Sequence, residues 1–179
     1  MKLDLRQSWL PEQEGDFHPG TATFSWKDGR LILEANFIDD EVGSSATANQ
    51  QKMWEHGDVI ELFFQREGNI DYHEYQISPN GFTLALHYPD YAAAVAVRKG
   101  ERQLEEFFIP PPLEAKAQRT KEGWCGRLVV PLEGAPGDRI RVSCSRYDYG
   151  TGRVPILSST SLHKAREFHR SSEWQEFIL

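Results

Sequence analysis

Two stretches in the middle of the chain alternate strictly between apolar and mixed positions. In residues 58–65 ("DVIELFFQ"), one parity carries Ile60, Leu62 and Phe64, and the other carries Glu61, Phe63 and Gln65. Residues 72–78 ("YHEYQIS") repeat the pattern, with His73, Tyr75 and Ile77 set against Tyr72, Glu74, Gln76 and Ser78. Because side chains along a strand alternate between its faces, each stretch predicts a strand with one apolar and one mixed face. Such a mixed face is either solvent surface or a binding site.

A strand–turn–strand pattern continues through most of the chain. Residues 21–39 predict a hairpin around Asp28-Gly29, a pair that tolerates the positive φ of tight turns. Further strands are predicted in "FTLALHY", "LEAKAQRT", "GWCGRLVVPLE", "DRIRVSCSRYDY" and "EWQEFIL", whereas residues 88–108 fit either a short helix or an irregular connection. At least eight strands, roughly ten residues apart, predict one all-β domain over residues 1–179. Its expected fold is an antiparallel β-sandwich, jelly-roll or immunoglobulin-like, with long edge loops.

Composition and charge exclude several classes of partner. Hydrophobic residues make up 39% of the 179-residue chain and the formal net charge is −7, so a nucleic-acid backbone is not an expected ligand. No apolar run is long enough to span a membrane, and none near Met1 resembles a signal peptide. The chain as written is therefore expected to be cytoplasmic, or secreted or periplasmic if a leader has been removed. Cys125 and Cys144 fall in predicted strands and are expected to be buried, with a disulfide open if those strands are neighbours.

Five pieces in a fixed order resemble a known family. They are "LILEANFIDD", "WEHGDVIELFF", "YHEYQISPNG", "GWCGRLVVPL" and "VSCSRYD". Together they are similar to the family 9 carbohydrate-binding modules and their DOMON-like relatives, over about residues 21–179. The resemblance implies a β-sandwich that holds the end of a glycan between two aromatic side chains, while polar side chains of the sheet bind the hydroxyls.

The resemblance assigns roles to individual residues. Trp54 falls on the first aromatic position, and Phe168 is the best match for the second, with Trp174 as the alternative. Glu61 and Gln76 fall on polar contacts, although well-known members carry a basic residue where this chain has Gln76. Sugar C–H groups pack on flat aromatic rings and sugar hydroxyls need directional partners, so these residue types suit the role.

The alternation independently places Glu61, Glu74 and Gln76 on the polar side of their strands. The predicted function is therefore non-catalytic saccharide binding that requires no cofactor. The resemblance further implies a glycoside hydrolase as a possible partner. Arg127 departs from the family, which usually has an acidic residue at that strand position.

Three alternatives stay open from the sequence. Asp39 and Asp40 offer hard oxygen ligands for a structural calcium ion. DOMON-like relatives include haem b proteins with methionine and histidine axial ligands, a role open to Met53 with His163 or His169. A glycoside-acting enzyme would need two carboxylates that flank the scissile bond, and Glu61 with Glu74 are the candidates.

Overall fold

The computed structural model describes residues 1–150 and 154–179 of the chain. Within them lie one α-helix, α1 (Tyr91–Arg98), and short 3₁₀ turns at Met53–Glu55, Leu104–Phe107 and Ser171–Glu173. The strands are β1 (Lys2–Asp4), β2 (Gly20–Lys27), β3 (Arg30–Ile38), β4 (Val59–Arg66), β5 (Tyr72–Ile77), β6 (Thr83–Tyr88), β7 (Glu114–Arg119), β8 (Gly123–Pro131), β9 (Arg139–Asp148), β10 (Ile156–Ser159) and β11 (Gln175–Ile178). In the described ranges, no helix is both long and apolar enough to cross a membrane.

The strands form two antiparallel sheets that face each other. The first sheet has the order β1-β2-β3-β8-β7, and the second has the order β10-β9-β4-β5-β6, with β11 also paired to β9. Their inner faces interdigitate through a fully buried cluster that includes Phe24, Leu33, Leu62, Tyr75 and Trp124. The predicted antiparallel sandwich is therefore confirmed, and the apolar parity of β4 and β5 faces its core.

The predicted hairpin between β2 and β3 turns at Asp28 and Gly29. Their φ angles of 50° and 71° are those of a two-residue turn whose twist matches that of the flanking strands. The ambiguous segment that follows β6 contains α1, which begins after Asp90, whose side chain accepts a hydrogen bond from the Ala93 amide over 2.8 Å.

A second apolar layer covers the outer face of the second sheet. That face carries buried aromatic and aliphatic side chains that would otherwise meet water, namely Val59, Phe63, Tyr72, Leu84, Leu86 and Tyr88. Helix α1, the two 3₁₀ turns at Met53–Glu55 and Leu104–Phe107, and the chain around Phe168 and Trp174 pack over it. The mixed face predicted for β4 and β5 is thus neither solvent surface nor sandwich core, but the floor of this outer layer.

The edge of β9 explains how the C-terminal chain comes to lie over the sheet. β10 pairs with residues 145–148 of β9, whereas β11 pairs with residues 139–142 of the same edge. Residues 160–174 leave the sheet after β10 and return to it at β11. This crossover segment, residues 160–174, lies on the outer face between the two pairings.

Two features of the fold differ from the sequence-based expectations. β1 and β10 were not among the predicted strands; both are short, with three and four residues. Cys125 on β8 and Cys144 on β9 belong to opposite sheets, and both are free thiols. Cys144 is buried in the core as expected, but Cys125 is only half-buried because it occupies the outward parity of β8.

Candidate functional site

A cavity of about 120 Å³ opens between the outer face of the second sheet and the layer that covers it. Glu61 on β4 and Glu74 on β5 form its floor, and Trp54, Tyr88, Tyr147 and Phe168 line its walls. The remaining lining residues come from α1, β10 and the crossover segment: Ala94, Val97, Arg98, Leu157, Arg166, Glu167 and His169. The structure therefore gathers four of the five predicted ligand-binding residues, all but Gln76, around one cavity.

The register of β4 and β5 positions the floor. Glu61 pairs with Gln76 across the two strands and Phe63 pairs with Glu74, so all these side chains share the outer face. Gln76 does not line the cavity; its Nε2 donates to Oε1 of Glu61 over 2.8 Å and also to Oε1 of Glu74. In this structure Gln76 holds the two carboxylates together, and its direct contact with a ligand stays a prediction.

Burial and mutual repulsion change the acidity of this pair. The side chains of Glu61 and Glu74 are almost fully buried, at 3% and 2% exposed. Burial raises the pKa of Glu61 well above its ordinary value, and the nearby charges of Glu74 and Glu167 raise it further. Burial likewise raises the pKa of Glu74 to about 7, against the opposing hydrogen bond from Gln76. The floor therefore changes its charge near neutral pH.

His169 adds a neutral imidazole to the cavity. Its Nδ1 lies 2.8 Å from the hydroxyl of Tyr72, and its Nε2 lies 3.9 Å from Oε2 of Glu74, beyond hydrogen-bonding distance. Burial lowers the pKa of His169 to about 4. The imidazole is therefore uncharged at neutral pH and does not neutralise the carboxylates.

The two predicted aromatic residues lie on different parts of the wall. Trp54 is half-buried in its 3₁₀ turn, where its carbonyl accepts a hydrogen bond from the hydroxyl of Tyr149. Phe168 is 4% exposed and packs against Trp9 and, edge to face, Tyr147. Trp174, the alternative to Phe168, does not line the cavity; its Nε1 donates to the carbonyl of Phe168 over 2.8 Å and so fixes the crossover segment.

The sequence did not point to several lining residues. Tyr88 and Tyr147 widen the aromatic wall, and the Arg98 side chain on α1 pairs with Glu167 of the crossover segment at the mouth. Arg166 donates to the carbonyl of Pro155 over 2.7 Å. Tyr88 and Tyr147 lie on predicted strands, but Arg98 comes from a segment with ambiguous periodicity and Arg166 and Glu167 come from an irregular loop, so no local pattern marked these three.

Only one of the two predicted calcium ligands belongs to a cluster of metal-ligating side chains, and this cluster lies outside the cavity. Asp39 lies with His18 and Asp148 in a group whose spacing suits a metal ion, but the exposed Asp40 is not part of it. The buried guanidinium of Arg146 already donates to Asp39 over 2.8 Å and lies 3.0 Å from Asp148. This guanidinium occupies the place where a cation would neutralise the carboxylates, so the donor set fits an internal ion pair better than calcium.

The haem alternative gains no support from the geometry. Met53 is fully buried in the outer apolar layer and does not line the cavity. His163 is 1% exposed and its Nδ1 lies 3.2 Å from Glu173, whereas His169 alone of the three lines the cavity. The cavity is also small beside the roughly 300–1,000 Å³ of pockets for large organic ligands.

The pair Glu61 and Glu74 is equally ill-suited to glycoside hydrolysis. In a glycosidase the two carboxylates flank the scissile bond, with a sugar oxygen or a water between them. Here the amide of Gln76 donates to both carboxylates and occupies the space between them. The arrangement can accept hydrogen bonds from a ligand above the floor, and the shared amide ties the two acids to each other.

The fold is similar to those of solved carbohydrate-binding proteins. A Bacteroides uniformis protein, provisionally described as carbohydrate-binding, superposes with a TM-score of 0.71 at 12% identity, over 99% of this chain and 85% of that one. A family 9 carbohydrate-binding module from Caldicellulosiruptor kristjanssonii, solved with cellotriose, gives 0.67 at 12% identity over 98% and 80% of the two chains. A structure of a family 9 module from the same organism with glucose gives 0.63 at 12% identity over 89% and 75%.

No protein-family model and no curated protein matches the sequence. The structural likeness therefore confirms the expected resemblance to family 9 modules at the level of the fold.

Proposed function

We propose that the chain binds a saccharide without catalysis, in the cavity between Trp54 and Phe168. The observation that carries the proposal is the combination of a carboxylate floor with aromatic walls in one cavity. Carboxylates accept directional hydrogen bonds from hydroxyls, whereas aromatic faces pack against the C–H groups of a sugar ring. The solved neighbours of the same fold, two of which hold cellotriose or glucose, support the same reading.

The size of the cavity limits the ligand. At about 120 Å³ the cavity is smaller than the roughly 300–1,000 Å³ of drug-sized pockets, so the proposed ligand is a single sugar ring or the terminal ring of a chain. Trp54 is half-buried and so offers a ring face at the mouth, while the buried Phe168 closes the deeper wall. Glu61 and Glu74 take the hydroxyls, and Gln76 keeps both carboxylates in place.

An accessory role in glycan degradation is the biological context that we propose. A non-catalytic module tethered to a glycoside hydrolase raises the local concentration of the enzyme at its substrate without any new catalytic group. The partner would be linked or bound to a surface away from the cavity mouth, which must stay open to the glycan.

Isothermal titration calorimetry with a panel of mono- and disaccharides tests the proposal. We expect saturable binding of at least one sugar and a loss of about tenfold or more in affinity for Trp54→Ala, because the variant removes the stacking face. Trp26→Phe is the matched control, since Trp26 lies on β2 and donates to the carbonyl of Leu132 far from the cavity. An unchanged thermal unfolding curve, followed by circular dichroism, shows that each variant folds. If the native chain bound none of the sugars in the panel, the proposal would be contradicted.

A further inference from the structure

When Glu61 and Glu74 are ionised, the floor of the cavity has more hydrogen-bond acceptors than donors. Nε2 of Gln76 supplies both of its hydrogens to the Oε1 atoms of Glu61 and Glu74. Among the described residues, no group donates to the Oε2 atom of either glutamate within hydrogen-bonding distance. Oε1 of Gln76 also has no partner, but it is buried beside the cavity and does not line it. A ligand that completes this floor must bring hydrogen-bond donors.

The positively charged side chains near the cavity bind groups other than the two glutamates of the floor. Arg98 pairs with Glu167 at the mouth, and Arg166 is turned to the carbonyl of Pro155. His169 is held neutral by its burial beside Tyr72. Within the described part of the chain, no cation therefore lies within ion-pair distance of Glu61, and only the distant imidazole approaches Glu74.

We propose that the cavity prefers an amino sugar, a hexosamine with a free ammonium group, over the corresponding neutral sugar. The inference rests on the proposed saccharide site and names the chemistry of its ligand. An ammonium group has three donor hydrogens and no acceptor, which matches the open oxygens of Glu61 and Glu74. Its hydrogen bonds to carboxylates are charge-assisted and therefore stronger than those of a hydroxyl.

The walls favour the same ligand. The aromatic residues Trp54, Tyr88, Tyr147 and Phe168 surround the floor, and a cation is attracted to aromatic faces, most strongly to tryptophan. An acidic sugar would meet like charge at the buried carboxylates. A neutral sugar would leave two acids sharing one buried site without a counter-charge, which is the arrangement that disfavours their ionised forms.

Calorimetric titration of the full chain with D-glucosamine, D-glucose and N-acetyl-D-glucosamine tests the preference. Near pH 7, where the amine is protonated and Glu74 begins to ionise, we expect glucosamine to bind about tenfold or more tightly than glucose, the effect of a desolvated charge pair. N-acetylglucosamine has the same ring but no charge, so its affinity should not exceed that of glucose. Because the pair is buried, raising the salt concentration should narrow the gap between glucosamine and glucose only slightly.

Two variants assign the preference to the floor. Glu74→Gln and Glu61→Gln each remove one buried ionisable group while they keep the shape of the side chain, and each should bring the glucosamine-to-glucose ratio of affinities towards one. Having two variants keeps the test valid if one of them fails to fold. Glu34→Gln on the opposite sheet is the control, because Glu34 lies on β3 and faces away from the cavity.

The outcomes separate this inference from the proposed function. Equal or tighter binding of glucose than of glucosamine by the native chain overturns the amino-sugar preference and leaves saccharide binding intact. A preference that survives in both glutamine variants also overturns it, because the charge would then act elsewhere. Absence of binding by all three sugars overturns both proposals together.

Discussion

The Nε2 atom of Gln76 lies 2.8 Å from Oε1 of Glu61 in a fully buried position, on the outer face of a sheet rather than inside the sandwich. One amide therefore holds two acids, Glu61 and Glu74, whose strands are neighbours. The second apolar layer excludes water from this polar group, and the hydrogen bonds from Gln76 to the two acids offset part of the cost of that burial.

Removal of this amide should destabilise the protein in a pH-dependent way. Gln76→Leu deprives both carboxylates of their common donor, and we expect the free energy of unfolding at pH 8 to fall by about 1–3 kcal/mol. The loss should be smaller at pH 5, where Glu61 and Glu74 carry protons. Urea unfolding at both pH values measures this, with Gln118→Leu on the exposed edge strand β7 as the control. Equal losses at the two pH values would show that the amide does not stabilise the ionised acids.

Stability should decline as the pH rises towards neutrality. The native pKa of Glu74 is raised from 4.5 to about 7, so the native state holds a proton that the unfolded state has lost between these values. Stability from such a group is fully present below the unfolded pKa and is lost as the pH rises through the folded one. Burial also raises the pKa of Asp58 to about 6, which adds to the decline in the same window.

A single variant isolates the contribution of Glu74 to this pH profile. Glu74→Gln should be more stable than the native chain at pH 8, by on the order of 1–3 kcal/mol, and should flatten the decline between pH 4.5 and 7. Chemical denaturation at one-unit pH intervals gives the profile. Glu34→Gln, at an exposed position, should leave the profile unchanged. A native profile that rises from pH 4.5 to 7 would refute the raised pKa values.

The buried ion pair between Arg146 and Asp39 should be sensitive to loss of one partner. Arg146→Met leaves Asp39 without its buried partner and Asp148 with only His18 beside it, and we expect the free energy of unfolding to fall by about 3–5 kcal/mol. The double variant with Asp39→Leu should recover part of the loss, because it removes one of the stranded charges. Arg139→Met tests an exposed arginine of the same strand and should change stability by no more than about 0.5 kcal/mol. Additive losses in the double variant would mean that the two side chains do not stabilise each other.

The cluster of Arg146, Asp39 and Asp148 also predicts that calcium does not change the stability of the protein. Because the Arg146 guanidinium lies between Asp39 and Asp148 and pairs with both, calcium would have to displace a buried arginine to bind there. The midpoint of thermal unfolding should therefore be the same in chelator and in millimolar calcium. A calcium-dependent rise that disappears in Asp148→Asn would show that the cluster binds the ion.

A tight contact across the sandwich should be revealed by a pair of substitutions. A Cβ atom added to Gly126 on β8 would collide with the Cδ1 methyl of Ile60 on the opposite sheet. Gly126→Ala should destabilise by about 1–3 kcal/mol, and Ile60→Val alone by about 0.5–1.5 kcal/mol. The double variant should cost less than the sum, since Ile60→Val removes the colliding methyl. Gly15→Ala, with no atom within 4 Å of the added Cβ, is the control for both.

The sequence could predict those parts of the site that depend on residues close together in the chain. The alternation in β4 and β5 placed Glu61, Glu74 and Gln76 on one face because strand periodicity is local. The resemblance added Trp54 and Phe168. The role of Gln76 as a bridge was not predictable, since it depends on the register between two strands and on the burial of both acids.

The rest of the site could not be read from the chain because distant elements create it. Phe63 and Tyr72 share the mixed face with the acids, and nothing local indicates that α1 and the crossover segment cover them. The pairing of both β10 and β11 with β9 decides where the crossover segment lies. His163 and Met53 illustrate the same limit. Their candidate role as axial ligands requires the two side chains to lie on either side of one haem, and the sequence does not show which distant residues lie close together.

The path of the crossover segment has a consequence for fragments of the protein. Glu61 and Glu74 of the floor come before position 75 in the chain. Phe168 of the wall comes about a hundred residues later, after all strands of the sandwich except β11. Any fragment that stops short of this segment would have its two acids uncovered and open to water, where their acidity would return to the ordinary range. Proteolytic removal of the last fifteen residues should therefore erase the cavity while leaving most of both sheets, so ligand binding reports on the integrity of the C-terminal chain.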